Sequence, residues 1–225
     1  MSEAQSHPKI VADIEKDVGR SFVGNEQYLF LKPRLEKMLL LIGKTPIEYA
    51  QGMNFIVLYL LIFCLEAEAG ECAQDAREEA GELASDSIEW ERSFLSIALH
   101  VVNSLSDIYS SDPRGMVDTV KELEYLITEN EPQVLYHIGK TGFESMAMFS
   151  SHYYSLMMVA KPPHLLAKRI LDTYLLEGRA AIHSLLVKML HLCSEHLLLI
   201  HDPMALQKMI NYDMVHLCAD RLIAL

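Results

Sequence analysis

Apolar residues recur in this chain at helical spacing, and that spacing limits the possible folds more than any other feature. Between residues 182 and 200 an apolar side chain returns every three or four positions, which places these side chains on one face of a helix. No comparable run alternates apolar and polar residues, and the Asn-Gly and Asp-Gly pairs typical of tight hairpins are missing from the sequence. The pattern predicts an all-α protein of about eight to ten helices.

Prolines and glycines mark where these helices begin and end. Proline suits the first helical turn because it has no N–H to leave unpaired and its φ is already helical. Thr45-Pro46-Ile47-Glu48 also has the pattern of a capping box, and Gly70, Gly139 and Gly178 stand where helices should stop. Together the signals predict helices over 9–20, 27–42, 46–69, 87–110, 114–129, 142–159, 163–177, 179–200 and 203–223.

The composition is that of a folded, acidic protein. Of 225 residues, 51% are hydrophobic and 22% charged, and 19 Lys and Arg against 31 Asp and Glu give a formal net charge of −12. This charge repels a phosphate backbone, so we expect no general role in binding nucleic acid. The longest apolar run, residues 55–65, is too short to cross a bilayer, and no leader pattern is visible. We therefore expect a cytoplasmic protein without direct membrane insertion.

Much of the negative charge belongs to one segment. Ten of the acidic residues lie between Glu66 and Glu91, where Arg77 is the only base. We interpret the stretch at about 66–87 as an acidic insertion, either a solvated loop or a frayed helix, within a single domain that spans 1–225.

Cysteine and histidine spacing does not indicate a metal site. Cys64, Cys72, Cys193 and Cys218 are far apart in the sequence and show no paired spacing, so reduced thiols are expected. The segment 191–196 begins and ends with histidine, but residues five apart on a helix face away from one another.

Two short motifs hold the candidate chemistry. Ile14, Asp17 and Arg20 stand one helical turn apart, so Asp17 can hold the Arg20 guanidinium near a helix end. Further along, Tyr49-Ala50-Gln51-Gly52-Met53-Asn54 places two amides and a glycine before the most apolar helix. An ordinary surface ion pair and amides that cap neighbouring backbone would use the same residues, so both interpretations stay open.

Together the two motifs resemble those of the TBC domain of Rab GTPase-activating proteins. That family carries an I-x-x-D-x-x-R motif and, roughly 30 to 40 residues later, a Y-x-Q-G-M-N-type motif. Weaker similarity continues through residues 91–94, 169–172 and 177–178. The family's domain normally begins earlier, so the resemblance implies that its N-terminal part is missing here. The chain also has Glu48 where the family has Gly, and Leu171 where it has Trp.

The resemblance implies a GTPase activator rather than an enzyme with its own substrate pocket. Arg20 matches the family's arginine finger, which neutralises charge on the phosphates of GTP, and Gln51 matches its glutamine finger, which orients the attacking water. Five further residues match positions that support these fingers: Ile14, Asp17, Tyr49, Gly52 and Asn54.

The partner that the resemblance implies is a Rab-family small GTPase in its GTP-bound state, in vesicle traffic. The partner would bind GTP and Mg²⁺, so no cofactor or metal is expected in this chain, and contact with endomembranes would come through the partner. One alternative is a non-catalytic TBC-like helical module that binds a small GTPase or scaffold in membrane trafficking. Another is an unrelated helical bundle with a coincidental motif pair, in which Arg20 and Gln51 would be far apart or buried.

Overall fold

The computed structural model describes residues 8–47, 49–69 and 88–224. All regular structure within these ranges is helical, which confirms the all-α prediction. The predicted acidic insertion at about 66–87 lies outside the described residues from position 70 onward.

The chain divides into two compact units, Met1–Ser106 and Asp107–Leu225. Each unit has its own buried apolar core. The expectation of a single functional domain over 1–225 stays a prediction.

The first unit is organised around one strongly apolar helix. Side chains of residues 56–62 within that helix are all buried, as expected for a helix that is apolar on every face. It contacts the three other α-helices of the unit. The unit contains α1 (Pro8–Ser21), a 3₁₀ helix (Glu26–Leu31), α2 (Lys32–Ile42), α3 (Met53–Ala69) and α4 (Ile88–Ser104).

The helix predicted over 46–69 begins later, at Met53. The Thr45 hydroxyl donates backward to the Ile42 carbonyl at 2.7 Å, so Thr45 closes the end of α2 and does not cap α3. Gly52 has a φ of +107°, a conformation that cannot continue a helix. Glu48, the other half of the predicted capping box, lies outside the described residues.

The second unit packs around its longest helix, Arg179–Leu199. Its buried face carries Ile182, Leu186, Met189 and Leu190, which confirms the apolar face predicted from periodicity. The α-helices here are α5 (Ser106–Tyr109, which begins at the division), α6 (Arg114–Asn130), α7 (Pro132–Lys140), α8 (Ser145–Tyr154), α9 (His164–Glu177), α10 (Arg179–Leu199), α11 (Pro203–Lys208), α12 (Met214–Leu217) and α13 (Ala219–Ile223).

Other predicted helices are subdivided. The helix predicted over 203–223 contains a π-helical turn, Met209–Asp213, and inside that turn the buried Asn211 accepts a hydrogen bond from the Ser151 hydroxyl at 3.0 Å. The π-helical turn is wider than an α-helical one and brings the polar Asn211 inward at a point that apolar spacing alone does not reveal.

The helices predicted over 27–42, 87–110 and 142–159 are also subdivided. Each of these ranges contains an α-helix and a shorter helical segment.

The glycines fit their predicted roles unevenly. Gly178 ends α9 with a φ of +65°, as predicted for a helix stop. Gly139 was expected to stop a helix but lies within α7, and the left-handed residue is Gly142, with a φ of +80°. Gly70 lies outside the described residues.

Gly115, near the start of α6, is needed for a close backbone approach. A Cβ there would lie 2.8 Å from the Asp107 carbonyl carbon, whereas a Cβ at the helical Gly139 would meet nothing within 4 Å. We expect Gly115→Ala to lower the free energy of unfolding by about 1 to 3 kcal/mol, as overpacking does. Gly139→Ala should leave it unchanged or raise it by up to about 1 kcal/mol because alanine favours helix. Urea unfolding of both variants checks this, and equal stabilities would contradict it.

Acid should destabilise the second unit through a buried histidine. His152 is 1% exposed, and burial lowers its pKa from 6.5 to about 4. Between these two values the unfolded chain binds the proton more readily than the folded chain, so the free energy of unfolding falls as the pH drops. For His152 the loss is up to about 3 kcal/mol over that window. Burial also lowers the pKa of His183, which adds to the loss in the same direction.

Substitution of the histidine isolates its share of the pH dependence. His152→Gln should flatten the dependence of stability on pH below 6.5, while the exposed His196→Gln should keep the parental slope. Urea unfolding between pH 7 and pH 4.5 measures the slopes. A slope for His152→Gln parallel to the parent's would show that His152 does not stay neutral in the fold.

Candidate functional site

A buried carboxylate joins the two sequence motifs. Asp17, in the last turns of α1, is 6% exposed. Its Oδ1 accepts a hydrogen bond from Arg20 Nη1 at 3.1 Å, the ion pair predicted from their spacing. Its Oδ2 accepts one from the hydroxyl of Tyr49 at 2.9 Å. The same side chain therefore contacts Arg20 and the segment that leads to α3.

A buried amide makes the second connection. Asn54, in the first turn of α3, is 1% exposed. Its Nδ2 donates to the main-chain carbonyl of Asp17 at 3.2 Å and to Ser21 Oγ at 2.8 Å. Its Oδ1 accepts from the Gly52 N–H at 3.1 Å. Asn54 thus caps nearby backbone, one of the two interpretations open from sequence, and also binds the end of α1.

The turn before α3 presents Gln51 to solvent. The Met53 N–H donates to the Ala50 carbonyl at 3.2 Å, which closes the turn. Gly52 within it is buried and has a φ of +107°, a conformation that favours glycine. The side chain of Gln51 is exposed beside this turn.

Arg20 is also accessible although it is paired. Its side chain is 51% exposed, against 8% for that of Asp17. Ile14 is fully buried one turn before Asp17, so it anchors α1 in the core. The structure thus links the Arg20 and Gln51 segments through buried partners and leaves both side chains exposed.

Two polar residues of this network were not singled out from sequence. Ser21 is fully buried, and its hydroxyl donates to the Asp17 carbonyl at 2.9 Å. Asn25 is 6% exposed and donates through Nδ2 to the Ser21 carbonyl at 3.3 Å. Serine and asparagine close to a helix end often bind main-chain groups in this way, which is the one local signal that could have indicated them.

The described residues contain no group of three or more His, Cys, Asp or Glu side chains placed to hold a metal ion. His191 pairs with Glu131 rather than with His196. Cys193 and Cys218 lie with their Sγ atoms 3.3 Å apart as free, buried thiols. Among the residues that the structure describes, no helix combines the length and apolar character needed to cross a membrane.

Comparison with known proteins relates the chain to a protein family and to a curated protein. The Rab-GTPase-TBC domain family model matches residues 1–198. A curated protein of Emericella nidulans, named "Putative GTPase-activating protein AN11010", is 24% identical over 197 residues, which cover 85% of this chain. The chain spans about 15% of the length of that relative.

The contact between Tyr49 and Asp17 can be tested by its energy. Tyr49→Phe removes a hydroxyl that donates to a buried carboxylate and should lower the free energy of unfolding by about 1 to 2 kcal/mol. Combined with Asp17→Asn, the loss should be smaller than the sum of the two single losses because the variants share one contact. Tyr125→Phe, at a side chain 66% exposed, is the control. Strictly additive losses in denaturant unfolding would contradict the contact.

Proposed function

Because this chain belongs to the Rab-GTPase-TBC domain family, we propose that it accelerates GTP hydrolysis by a Rab-family small GTPase. Arg20 and Gln51 enter the partner's active site, and the partner supplies GTP and Mg²⁺. The chain engages the GTP-bound state, in the cytoplasm, and reaches endomembranes through its partner.

The observation that carries this proposal is the network around Asp17 and Asn54. It supports two exposed polar side chains, Arg20 and Gln51, from separate segments and leaves both available to a partner. The Arg20 side chain is held by the buried Asp17, so it loses less freedom when it enters another active site and more of the binding energy is available to the reaction.

Arg20 has the chemistry to stabilise phosphoryl transfer. Negative charge is spread over the γ-phosphoryl group in the transition state, and an arginine supplied in trans typically raises the rate by about 10³ to 10⁵. The guanidinium has five N–H donors, and the contact with Asp17 comes from Nη1. The remaining donors can bind phosphate oxygens while Asp17 holds the group in place.

Gln51 has the chemistry to orient the attacking water. A primary amide accepts hydrogen bonds through its oxygen and donates through its NH₂ group, so it can hold a water in one orientation. Gly52 and Asn54 fix the backbone next to it through the 3.1 Å hydrogen bond. Their role is to support the turn and not to touch the nucleotide.

Substitution of each finger tests the proposal. Arg20→Ala and Gln51→Ala should each reduce the stimulated hydrolysis rate by about 10² or more, the scale of a lost transition-state donor. Arg92→Ala and Gln133→Ala remove the same chemical groups at other exposed positions and should match the parent. The measurement is single-turnover GTP hydrolysis by a panel of purified Rab GTPases, after circular dichroism has confirmed a helical fold.

The outcomes separate the candidate functions. If both finger variants stimulate as well as the parent, the assignment of Arg20 and Gln51 is wrong. A folded parent protein that binds a GTPase without stimulating it would favour the non-catalytic module.

A further inference from the structure

Both the hydroxyl and the main-chain carbonyl of Ser21, the residue after Arg20, are hydrogen-bonded. Its Oγ donates to the Asp17 carbonyl at 2.9 Å and accepts from Asn54 Nδ2 at 2.8 Å. Its own carbonyl accepts from Asn25 Nδ2 at 3.3 Å. The side chain is fully buried, whereas that of Arg20 is half exposed.

These contacts lie where a helix is normally least ordered. The last carbonyls of an α-helix lack partners within the helix, so the final turn frays unless other groups bind it. Arg20 and Ser21 are the last two residues of α1. The Arg20 carbonyl accepts from the Val23 N–H at 3.4 Å, and Ser21 is bound to α3 through Asn54. The backbone that carries Arg20 is therefore fixed to a second helix.

The segment after Ser21 strengthens this attachment. Asn25 is buried, its N–H donates to the Phe22 carbonyl at 2.9 Å, and its carbonyl accepts from the Tyr28 N–H at 3.0 Å. Its side-chain amide also interacts with the hydroxyl of Tyr59 in α3, where burial raises the tyrosine pKa to about 12 and Asn25 partly offsets the rise. The chain thus turns back toward α3 directly after Arg20.

Asn54 connects the residues that follow the two fingers. Its Nδ2 binds the hydroxyl of Ser21, the residue after Arg20, and its Oδ1 binds the N–H of Gly52, the residue after Gln51. One amide group therefore joins the backbone beside one finger to the backbone beside the other. Asp17 holds the guanidinium itself, so backbone and side chain are constrained separately.

We propose that Ser21 is a positioning residue: its hydroxyl, through Asn54, sets where the last turn of α1 places Arg20 relative to the turn that carries Gln51. The proposal rests on the GTPase-activating function proposed above and deepens it. Ser21 does not touch the nucleotide. Its loss should slow the catalysed step and leave the docking of the partner nearly unchanged, because the exposed surface stays the same.

The chain offers a matched control for the chemistry of this serine. Ser155 is also buried, its hydroxyl donates to the Ser151 carbonyl at 2.8 Å, and its Oγ accepts from the Val159 N–H at 3.3 Å. Ser155 lies in the second unit, outside both finger segments. A general effect of losing a buried hydroxyl would appear in Ser155→Ala as well.

The experiment measures single-turnover GTP hydrolysis by a responsive Rab GTPase at increasing concentrations of the full chain. Ser21→Ala should lower the maximal stimulated rate by about five- to tenfold, the worth of one neutral hydrogen bond, with the half-saturating concentration within about twofold of the parent. Ser21→Thr, which keeps the hydroxyl, should restore the maximal rate to within about twofold. Ser155→Ala should behave as the parent does.

A second variant covers the case in which Ser21→Ala does not fold. Ser21→Cys keeps the shape of the side chain with a somewhat larger atom in place of the oxygen, but its thiol is a weak hydrogen-bonding group, so it should give the same loss in maximal rate. The proposal would be overturned if the folded Ser21→Ala or Ser21→Cys variant reached the parental maximal rate, or if only its half-saturating concentration changed. It would also be overturned if Ser155→Ala slowed hydrolysis equally, or if Ser21→Thr did not recover the maximal rate. If the parent protein stimulates no GTPase, the proposed function itself is wrong. If the parent and Ser21→Ala stimulate hydrolysis equally, only the role of Ser21 is wrong.

Discussion

The candidate site depends on the hydrogen bonds that the buried carboxylate of Asp17 accepts. An ionised group that is removed from water without partners costs several kcal/mol, so Asp17 is compatible with the fold only where donors reach it. Arg20 and Tyr49 supply them, and Asn54 binds the main chain of the same residue. The contact of Asp17 with Tyr49 joins α1 to the segment before α3. In this arrangement the side chain of Gln51 is exposed.

Apolar packing and polar contacts have different roles in the first unit. The burial of Ile14, Val18 and the apolar side chains of α3 drives the helices together, but this force is not directional. Hydrogen bonds from Asn54 to Ser21 and Gly52 depend on distance and angle, so they select one arrangement of the packed helices. Ser21 and Asn54 are buried polar residues beside an otherwise apolar helix, and their hydrogen bond fixes how the end of α1 lies against α3.

Local patterns predicted most of the helices and one ion pair but not the contacts between segments, and α7 (Pro132–Lys140) lies outside every predicted range. The spacing of Asp17 and Arg20 is enough to predict their pairing because both lie on one helix. Thr45 misled the helix prediction because a threonine between two helices can bind the end of the first as well as the start of the second, and here it binds Ile42. Ser21 and Asn54 meet only after α1 packs on α3, and no short sequence pattern encodes that contact. Resemblance to the family indicated Tyr49 and Asn54, whereas periodicity could not.

In the proposed function, Asp17 holds Arg20 in place for the transition state of GTP hydrolysis. The most direct test is the affinity of the full chain for a Rab GTPase loaded with GDP and aluminium fluoride, which mimics the transferring phosphoryl group, compared with GDP alone. A group that acts in the transition state binds the mimic more tightly, so we expect at least about a tenfold preference, and Arg20→Ala should abolish it. Equal affinity of the parent for the two states, or an unchanged preference in Arg20→Ala, would contradict this role of Arg20.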